Sequence, residues 1–549
     1  MDVAESGHYC ASSMRPLPRT ALQTDRSNVP IVPAFFFFLL VCSFPLPAFA
    51  TYDSLEEIPV ESPLYSDLES LALRFGADGH FINRRPWTRG EALAYLEGVK
   101  VHDPSVSEDL AFARILREVS PDAPGARESL WAREEDEDRR LEISPYVQVR
   151  YRENRTLRPT VNRDYRLGAS ASARAASRFL IFGDLYAGTA SQGGHGTPNF
   201  GTKFALAEGV DFNAWLDRAY VALEGSGTPH RIRATLAHSW VRWGPGATGT
   251  LGVSDAAPAL DRLGFDVGVL RELELSWFVA SLDPVEKRYY AASRMSLRLG
   301  NRLELGIAEE ARFDGTDQLF YYLIPAFPYA FIEKRVDAFA GGPDSTNKIT
   351  KNNVMASVDF SLDLTRGLRW YGEFLLDDYS VSSTFKPKQI GWQSGFHAAR
   401  LIRSRRILSA RAEYTRIYNF VYTVWHAHDF ELDGYPLGYV LGPDAEQAWG
   451  RLQLDWNVPW SASLEVARVR KGEGSIGNPW DPASGKVDNV PLSGVVERTM
   501  SVNAGLAYRP MAGLALEGSM GYSDVKNAEH NAGADRNHII GALSVRARW

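Results

Sequence analysis

The sequence predicts an all-β fold: a closed antiparallel transmembrane β-barrel of about 18 strands, preceded by a small N-terminal α-helical periplasmic module. Three observations predict it. From residue 141 onward, side chains alternate between apolar and polar along most of the chain, the period of strands with unlike faces. Short turns alternate with mostly longer connections between those strands, as in barrels that cross a membrane. After the N-terminus, no stretch supplies the roughly 20 unbroken apolar residues of a spanning helix.

The first fifty residues read as an export signal. The run Phe35 to Val41 is too short to span as a mature helix, Arg15, Arg19 and Arg26 precede it, and Ala48-Phe49-Ala50 gives a small-x-small cleavage pattern before Thr51. The charged region ahead of the run is long, which makes Met14 an alternative start. Both cysteines, Cys10 and Cys42, would leave with the signal, so the mature chain has no thiol or disulfide chemistry. A lipoprotein anchor at Cys42 is rejected because Val41 stands where a small residue is needed.

Residues 51–120 differ in kind. Leu64, Leu68, Leu71 and Phe75 recur at helical spacing, as do Leu93, Leu96, Leu110 and Ile115 with their neighbours. Thr88 followed by Glu91 has the form of a capping box. A helical module of this size is small for an independent core, so it is expected to lean on the barrel and close its periplasmic mouth. Residues 121–140, with Glu134-Glu135-Asp136-Glu137-Asp138, read as a solvated charged linker.

The barrel is expected over 141–549. Short turns fall at Ala175-Ala176, Gly225 to Pro229, Leu270-Arg271, Gly300-Asn301, Thr365 to Gly367, Ile402 to Arg405, Pro459-Trp460 and Arg509 to Gly513, and these should face the periplasm. The longer loops, such as Trp240 to Arg262, Asp314 to Lys351, Ile417 to Asp444 and Gly472 to Val496, should face outward. Arg451, Gln453, Asp455 and Asn457 oppose Leu452, Leu454 and Trp456, while Gln148, Arg150 and Arg152 oppose Val147, Val149 and Tyr151. A charge facing lipid at mid-depth costs roughly 2–4 kcal/mol for Arg or Lys, so the polar faces line the lumen. Because opposite charges are interspersed there, a bracing ladder is favoured over a path for a charged polymer. The last strand carries Ile539, Gly541, Leu543, Val545, Ala547 and Trp549 on one face and Ser544, Arg546 and Arg548 on the other. An aromatic terminal strand resembles the signal by which bacterial outer-membrane barrels meet their assembly machinery.

Composition narrows the function. A net charge of −7 argues against nucleic acid, and 12% aromatics with 14 Trp and 23 Tyr suit interfacial girdles. No G-x-S-x-G elbow, Walker loop or H-E-x-x-H motif is present, so catalysis lacks support. His426 and His428 without placed carboxylates are a poor metal site, and no cofactor is expected. Adjacent Asp377 and Asp378 point to opposite faces of a strand and so cannot flank one bond as a pair.

Three stretches stand out: His238-Ser239-Trp240-Val241-Arg242-Trp243-Gly244-Pro245-Gly246 continued through Ser254-Asp255-Ala256; Tyr371-Gly372-Glu373 through Asp377-Asp378; and Pro436-Leu437-Gly438 through Leu441-Gly442-Pro443-Asp444-Ala445. Together with Arg85-Pro86-Trp87-Thr88-Arg89-Gly90-Glu91, they resemble the Wzi-type capsule-assembly family of outer-membrane proteins over roughly Ser54 to Trp549. The resemblance implies a non-enzymatic barrel that associates capsular or other surface polysaccharide with the cell. It also implies a setting of outer-membrane lipid and lipopolysaccharide, and the chain is expected to be a monomer. The turn at Thr88 is similar to an S-layer-homology repeat as well, which implies peptidoglycan attachment as a rival role for the module.

Aromatic residues crowd two outward loops. Phe320, Tyr321, Tyr322, Phe327 and Tyr329 lie on one; Tyr418, Phe420, Tyr422, Trp425, Phe430, Tyr435 and Tyr439 lie on the other, with His426, His428 and Asp429 among them. Rings with polar neighbours suit a sugar, whose C–H faces pack on aromatics while its hydroxyls need hydrogen bonds. Expected polysaccharide contacts are Trp243, Tyr321, Tyr322, Tyr329, Tyr422, Trp425, His426, His428, Asp429 and Trp480. The competing reading is that these rings form a membrane girdle or plug the barrel mouth. The competing function is a porin-like diffusion channel for small solutes.

Overall fold

The computed structural model describes residues 49–548 apart from 51–53, 121–122, 125, 127, 130, 137–138, 156–159, 176–177, 189–200, 208–209, 228–229, 325–327, 334–351, 378–386, 403–405, 425–428, 457–458, 482 and 484–491. The expected signal segment lies almost wholly outside the described residues. Among them, no helix is long and apolar enough to cross a membrane.

Eighteen strands close one antiparallel barrel. They are β1 (Arg139–Arg155), β2 (Thr160–Ala175), β3 (Phe179–Gly188), β4 (Val210–Gly227), β5 (His230–Ser239), β6 (Leu260–Leu270), β7 (Leu273–Asp283), β8 (Arg288–Leu299) and β9 (Leu303–Asp314). The second half comprises β10 (Asn353–Thr365), β11 (Leu368–Asp377), β12 (Ile390–Ile402), β13 (Arg406–Ile417), β14 (Ala445–Asp455), β15 (Trp460–Lys471), β16 (Glu497–Met511), β17 (Leu514–Lys526) and β18 (Arg536–Arg548). Each pairs with its sequence neighbour, and β18 returns to β1 through Leu543↔Tyr151 and Arg548↔Tyr146. Closure leaves no strand edge in lipid, where unpaired backbone groups would each cost several kcal/mol. Among the described residues, the turns after β6, β8, β10 and β16 fall where the sequence placed them, whereas the loops expected at 153–162 and 189–213 are partly strand, to Arg155, from Thr160 and over Gly201–Ala207.

Alternation sorts the two faces. On β8, Arg294 and Ser296 are buried while Met295 is 39% exposed; on β9, Ile307 is 49% exposed between buried Gly306 and Ala308. The apolar set faces lipid. The inward set is charged and paired: Arg294 with Asp359, Arg298 with Glu304 at 3.3 Å and Arg369 with Asp363 at 2.6 Å. These pairs match the bracing ladder expected of the lumen.

Three helices, α1 (Leu64–Phe75), α2 (Arg89–His102) and α3 (Leu110–Val119), form a compact cluster around Leu71, Ala72, Tyr95 and Ile115. Thr88 and Glu91 make the reciprocal capping box that starts α2. The cluster enters the short-turn end of the lumen. Gly367 N–H in the β10–β11 turn donates to Leu73 O at 2.9 Å, and Arg117 donates to Pro510 O at the end of β16 at 2.8 Å. Glu69 takes one guanidinium N–H from Arg85 and another from Arg411 on β13, each at 2.6 Å. Its burial pushes the carboxyl up, but Arg411 and Arg85 outweigh that and hold it below the ordinary carboxylate range. The expected solvated linker needs correction: Trp131–Asp136 is a short strand paired with the start of β1, as in Trp131↔Ile143. Pairing with a free strand edge there satisfies backbone groups despite the acidic sequence.

Candidate functional site: the infolded loops of the outward end

The long-loop end is filled from above. Residues 240–259, between β5 and β6, fold into the lumen and meet the N-terminal module there. Arg242 and Trp243 pair with Arg85 and Arg84, and Gly244 N–H donates to Asn83 O at 2.7 Å. Residues 418–424 and 429–444, between β13 and β14, lie against them, with Ser254 N–H donating to Leu437 O at 3.0 Å. The junction is apolar: Trp243, Leu251, Val253, Tyr422, Phe430 and Tyr439 pack on inward Phe278, Tyr290, Met355 and Leu375.

Inward carboxylates hold the loops down. Glu373 Oε1 accepts from Leu251 N at 2.9 Å and Gly252 N at 3.0 Å. Glu413 accepts from Ala247 N, Thr248 N, the Thr248 and Tyr371 hydroxyls, and the Gln393 amide. Asp377 Oδ2 accepts from Tyr422 N at 2.6 Å, and Asp444 clips the next loop through Gly474 N at 3.0 Å and Ser493 N at 3.1 Å. Burial pushes the Tyr422 phenol far above its ordinary value, so it keeps its proton and donates to Leu251 O at 2.7 Å. Gly438 packs so closely on Leu251 O and the Tyr422 ring that any Cβ there would collide with both. Gly244, at φ +126°, sits where side-chain-bearing residues are strained.

Of the seven expected sugar contacts among the described residues, five are buried. Trp243 is 4% exposed and packs 5.4 Å from Phe278; Tyr422 is fully buried. Tyr322 and Tyr329 are also fully buried, in a separate cluster with Phe313. In this conformation none of the four can touch a surface ligand, because their rings supply the core that closes the loops. Asp429 is a clip as well, accepting from Val424 N at 2.7 Å and from Gly477 N. Tyr321 is 39% exposed and Trp480 is half-buried. Trp425, His426, His428 and Asp378 lie outside the described residues.

The motif residues converge on one structural device. Pro245 O accepts from Arg411, Gly246 O from Arg242, and Pro443 O from Lys471. Ser254 Oγ accepts from Ala256 N, and Gly442 turns at φ +64°. Sequence reasoning missed Glu413, Gln393 and Glu69; for Glu413 and Gln393 the signal was an inward carboxylate or amide on a strand, and Glu69 carried none beyond its place on α1. Beside β1–β4 and β18 the filling is incomplete. A cavity of about 350 Å³ remains there, lined by Arg150, Arg166, Arg546, Asp184, Asp217 and Trp240 among others. Among the described residues, no group of three or more His, Cys, Asp or Glu is placed to hold a metal ion.

The family model described as capsule assembly protein Wzi matches residues 145–539. The chain belongs to the Wzi capsule-assembly family. Its structure is similar to that of Wzi from Escherichia coli, described as an outer-membrane protein involved in group 1 capsule assembly and a carbohydrate-binding β-barrel. The two are 16% identical at a TM-score of 0.57, over 89% of this chain and 98% of that one. OprD from Pseudomonas aeruginosa is 9% identical at a TM-score of 0.40, over 74% of this chain and 95% of that one. OpdK from the same organism is 9% identical at 0.41, over 74% and 99%. No curated protein matches the chain in sequence. Like its family, this chain is an outer-membrane barrel, and its family motifs are the residues that fold the outward loops into the lumen.

Proposed function

We propose that this Wzi-family barrel holds surface polysaccharide at its outward face, as a binding protein rather than an enzyme or an open pore. The observation that carries the reading is the double filling of the lumen: the helical module from one end and the loop 240–259 from the other meet at Arg84-Arg85 and Arg242-Trp243, with residues 418–424 and 429–444 packed on that loop. A passive channel has no use for such a filling, whereas a rigid platform for binding does. The short-turn end with its helices faces the periplasm in this reading.

Sugar contacts then fall to what the infolding leaves outside. Asp433 and Gly434 form the exposed tip of a tight hairpin followed by half-buried Tyr435, and Trp480 stands beside exposed Asn478 on the next loop. Tyr435 and Ile476 pack on the same apolar cluster, which fixes the two loops as one surface. Rings with a carboxylate and an amide nearby match the two needs of a saccharide. The test is a pull-down of the source organism's own polysaccharide with purified barrel. Each lost stacking contact is worth on the order of 1 kcal/mol, so Trp480→Ala with Tyr435→Ala should weaken retention severalfold or more. Unchanged retention would remove these residues from the site. A wild type that retains no polymer yet conducts ions through the 350 Å³ gap would favour the channel.

A further inference from the structure

The segment after β9 does not fold inward. Val279, Ala291 and Ala311 are register partners on β7, β8 and β9, and they share the outward face with lipid-exposed Met295 and Ile307. Yet all three are 5% exposed or less. What covers them is the chain after Gly315: Tyr322 stacks on outward Phe313 at 4.1 Å, and Tyr329 and Ile332 complete the cluster. Glu309, also outward, accepts from Tyr329 N at 2.7 Å and fixes the start of a helical turn at 329–333. The segment is thus a foot resting on the outside of the wall. Its far face is apolar too, with Phe320 69% and Phe331 68% exposed beside Tyr321.

Between foot and wall runs a groove of about 530 Å³, floored by Ile181, Leu236 and Leu263 and flanked by Leu319 and Leu323. Leu236 and Leu263 are among the lipid-facing residues of β5 and β6, so the groove is continuous with the lipid-facing wall. One step closer to the outward rim, His238 Nδ1 and Asp261 Oδ1 lie 2.7 Å apart at its edge. The order is apolar floor toward mid-barrel and polar pair toward the rim, the order of chain and headgroup in an outer-leaflet lipid. A polysaccharide, with hydroxyls on every ring, would leave such a floor and the two phenylalanines unsatisfied.

We propose that residues 316–324 and 328–333 are a membrane-interface foot: Phe320 and Phe331 sit in the outer leaflet, and the groove beneath the foot seats an acyl chain of an outer-leaflet lipid. The aromatic loop, which the sequence leaves open between a sugar site and a membrane girdle, is then an anchor that sets the barrel's depth and rotation in the bilayer. This inference does not depend on polysaccharide binding.

The test uses the full barrel reconstituted in lipid, with Cys10→Ser and Cys42→Ser removing the chain's two native thiols. Spin labels are placed one at a time by Phe320→Cys, Phe331→Cys, Ile307→Cys on the lipid wall and Val285→Cys at an 88% exposed hairpin tip. Heat-modifiable migration verifies that each variant is folded. Labels at 320 and 331 should collide with oxygen severalfold more than with a water-soluble nickel chelate, as at 307. A label at Leu263→Cys should be relaxed by lipids carrying a nitroxide in the acyl chain more strongly than by lipids carrying it on the headgroup. Nickel accessibility at 320 and 331 equal to that at 285 would overturn the foot, as would shielding that appears only on addition of polysaccharide. A headgroup preference at 263 would overturn the acyl seat.

Discussion

Replacing Glu373 by alanine should release the loop 240–259. One oxygen, Oε1, accepts from both Leu251 N and Gly252 N, and both residues are buried. A buried N–H left without a partner costs about 1–3 kcal/mol, so the two together cost about 2–6 kcal/mol. Glu373→Gln separates this effect from charge. It keeps an acceptor at the Oε1 position and puts an amide where Oε2 has no hydrogen-bond partner among the described residues. The amide keeps the oxygen that both N–H groups need, so stability should stay near wild type. The assay is the temperature at which the folded band converts to the unfolded one in heat-modifiable electrophoresis, with planar-bilayer conductance as a second readout. Alanine should lower that temperature and raise conductance, and glutamine should do neither. Equal destabilisation by both would show that the carboxylate charge matters rather than the acceptor. No effect of alanine would mean that the apolar cluster holds the loop alone.

Glu69→Ala should undock the helical cluster. It leaves Arg85 and Arg411 without their shared acceptor, and breaking a buried pair in this way costs about 3–5 kcal/mol; faster proteolysis of residues 54–120 in the folded barrel is the readout. Burial pushes Glu91 up, but Arg231 and Arg84 outweigh that and hold it, like Glu69, below the ordinary carboxylate range. The stability these two acids contribute is therefore present above the unfolded value of about 4.3 and is lost only as pH falls through their lower folded values. His80 acts in a different window. Burial between Trp87 and Tyr95 pushes its imidazole below the ordinary value of about 6.5, so docking weakens as pH drops below that value and the released chain takes up the proton. Protease sensitivity of the module should rise between about pH 6.5 and 5 in wild type and stay flat in His80→Phe. A rise that persists in His80→Phe would assign the window to another group.

The strands were legible because lipid and lumen impose opposite demands on successive residues, as in Arg294 against Met295 or Arg546 against Val545. The helices were legible for a similar reason: the leucines of α1 and the Thr88–Glu91 capping box are local signals. The fate of the outward loops was not local. Tyr422 buried over Leu251, Tyr322 buried over Phe313 and half-buried Tyr435 are all tyrosines in aromatic loops, and nothing in the sequence nearby tells them apart. What separates them is the wall they meet: Asp377 and Glu373 on the inner face for one, Glu309 on the outer face for another. A carboxylate that braces the wall and one that receives a loop's N–H groups look alike until the loop is in place. The family motifs were read correctly as a group, but Trp243 and Asp429 proved to be parts of the filling rather than of its surface.

The contact between Arg117 and the Arg509 and Pro510 carbonyls spans 392 and 393 positions of sequence. A module made early thus finds part of its binding surface only when the chain is almost complete. Glu57 waits for Tyr220, Glu69 for Arg411, and Arg114 for Asp455, so docking advances as strands are added around it. The seam of β18 on β1 comes last in sequence, and a wall already closed around an empty lumen would have to reopen to admit three packed helices. Wrapping the strands around the module avoids that barrier, at the expense of long-range contacts that form slowly. The filling thus touches strands along the whole length of the wall, from Tyr220 to Pro510, and barrel and filling share one set of long-range contacts.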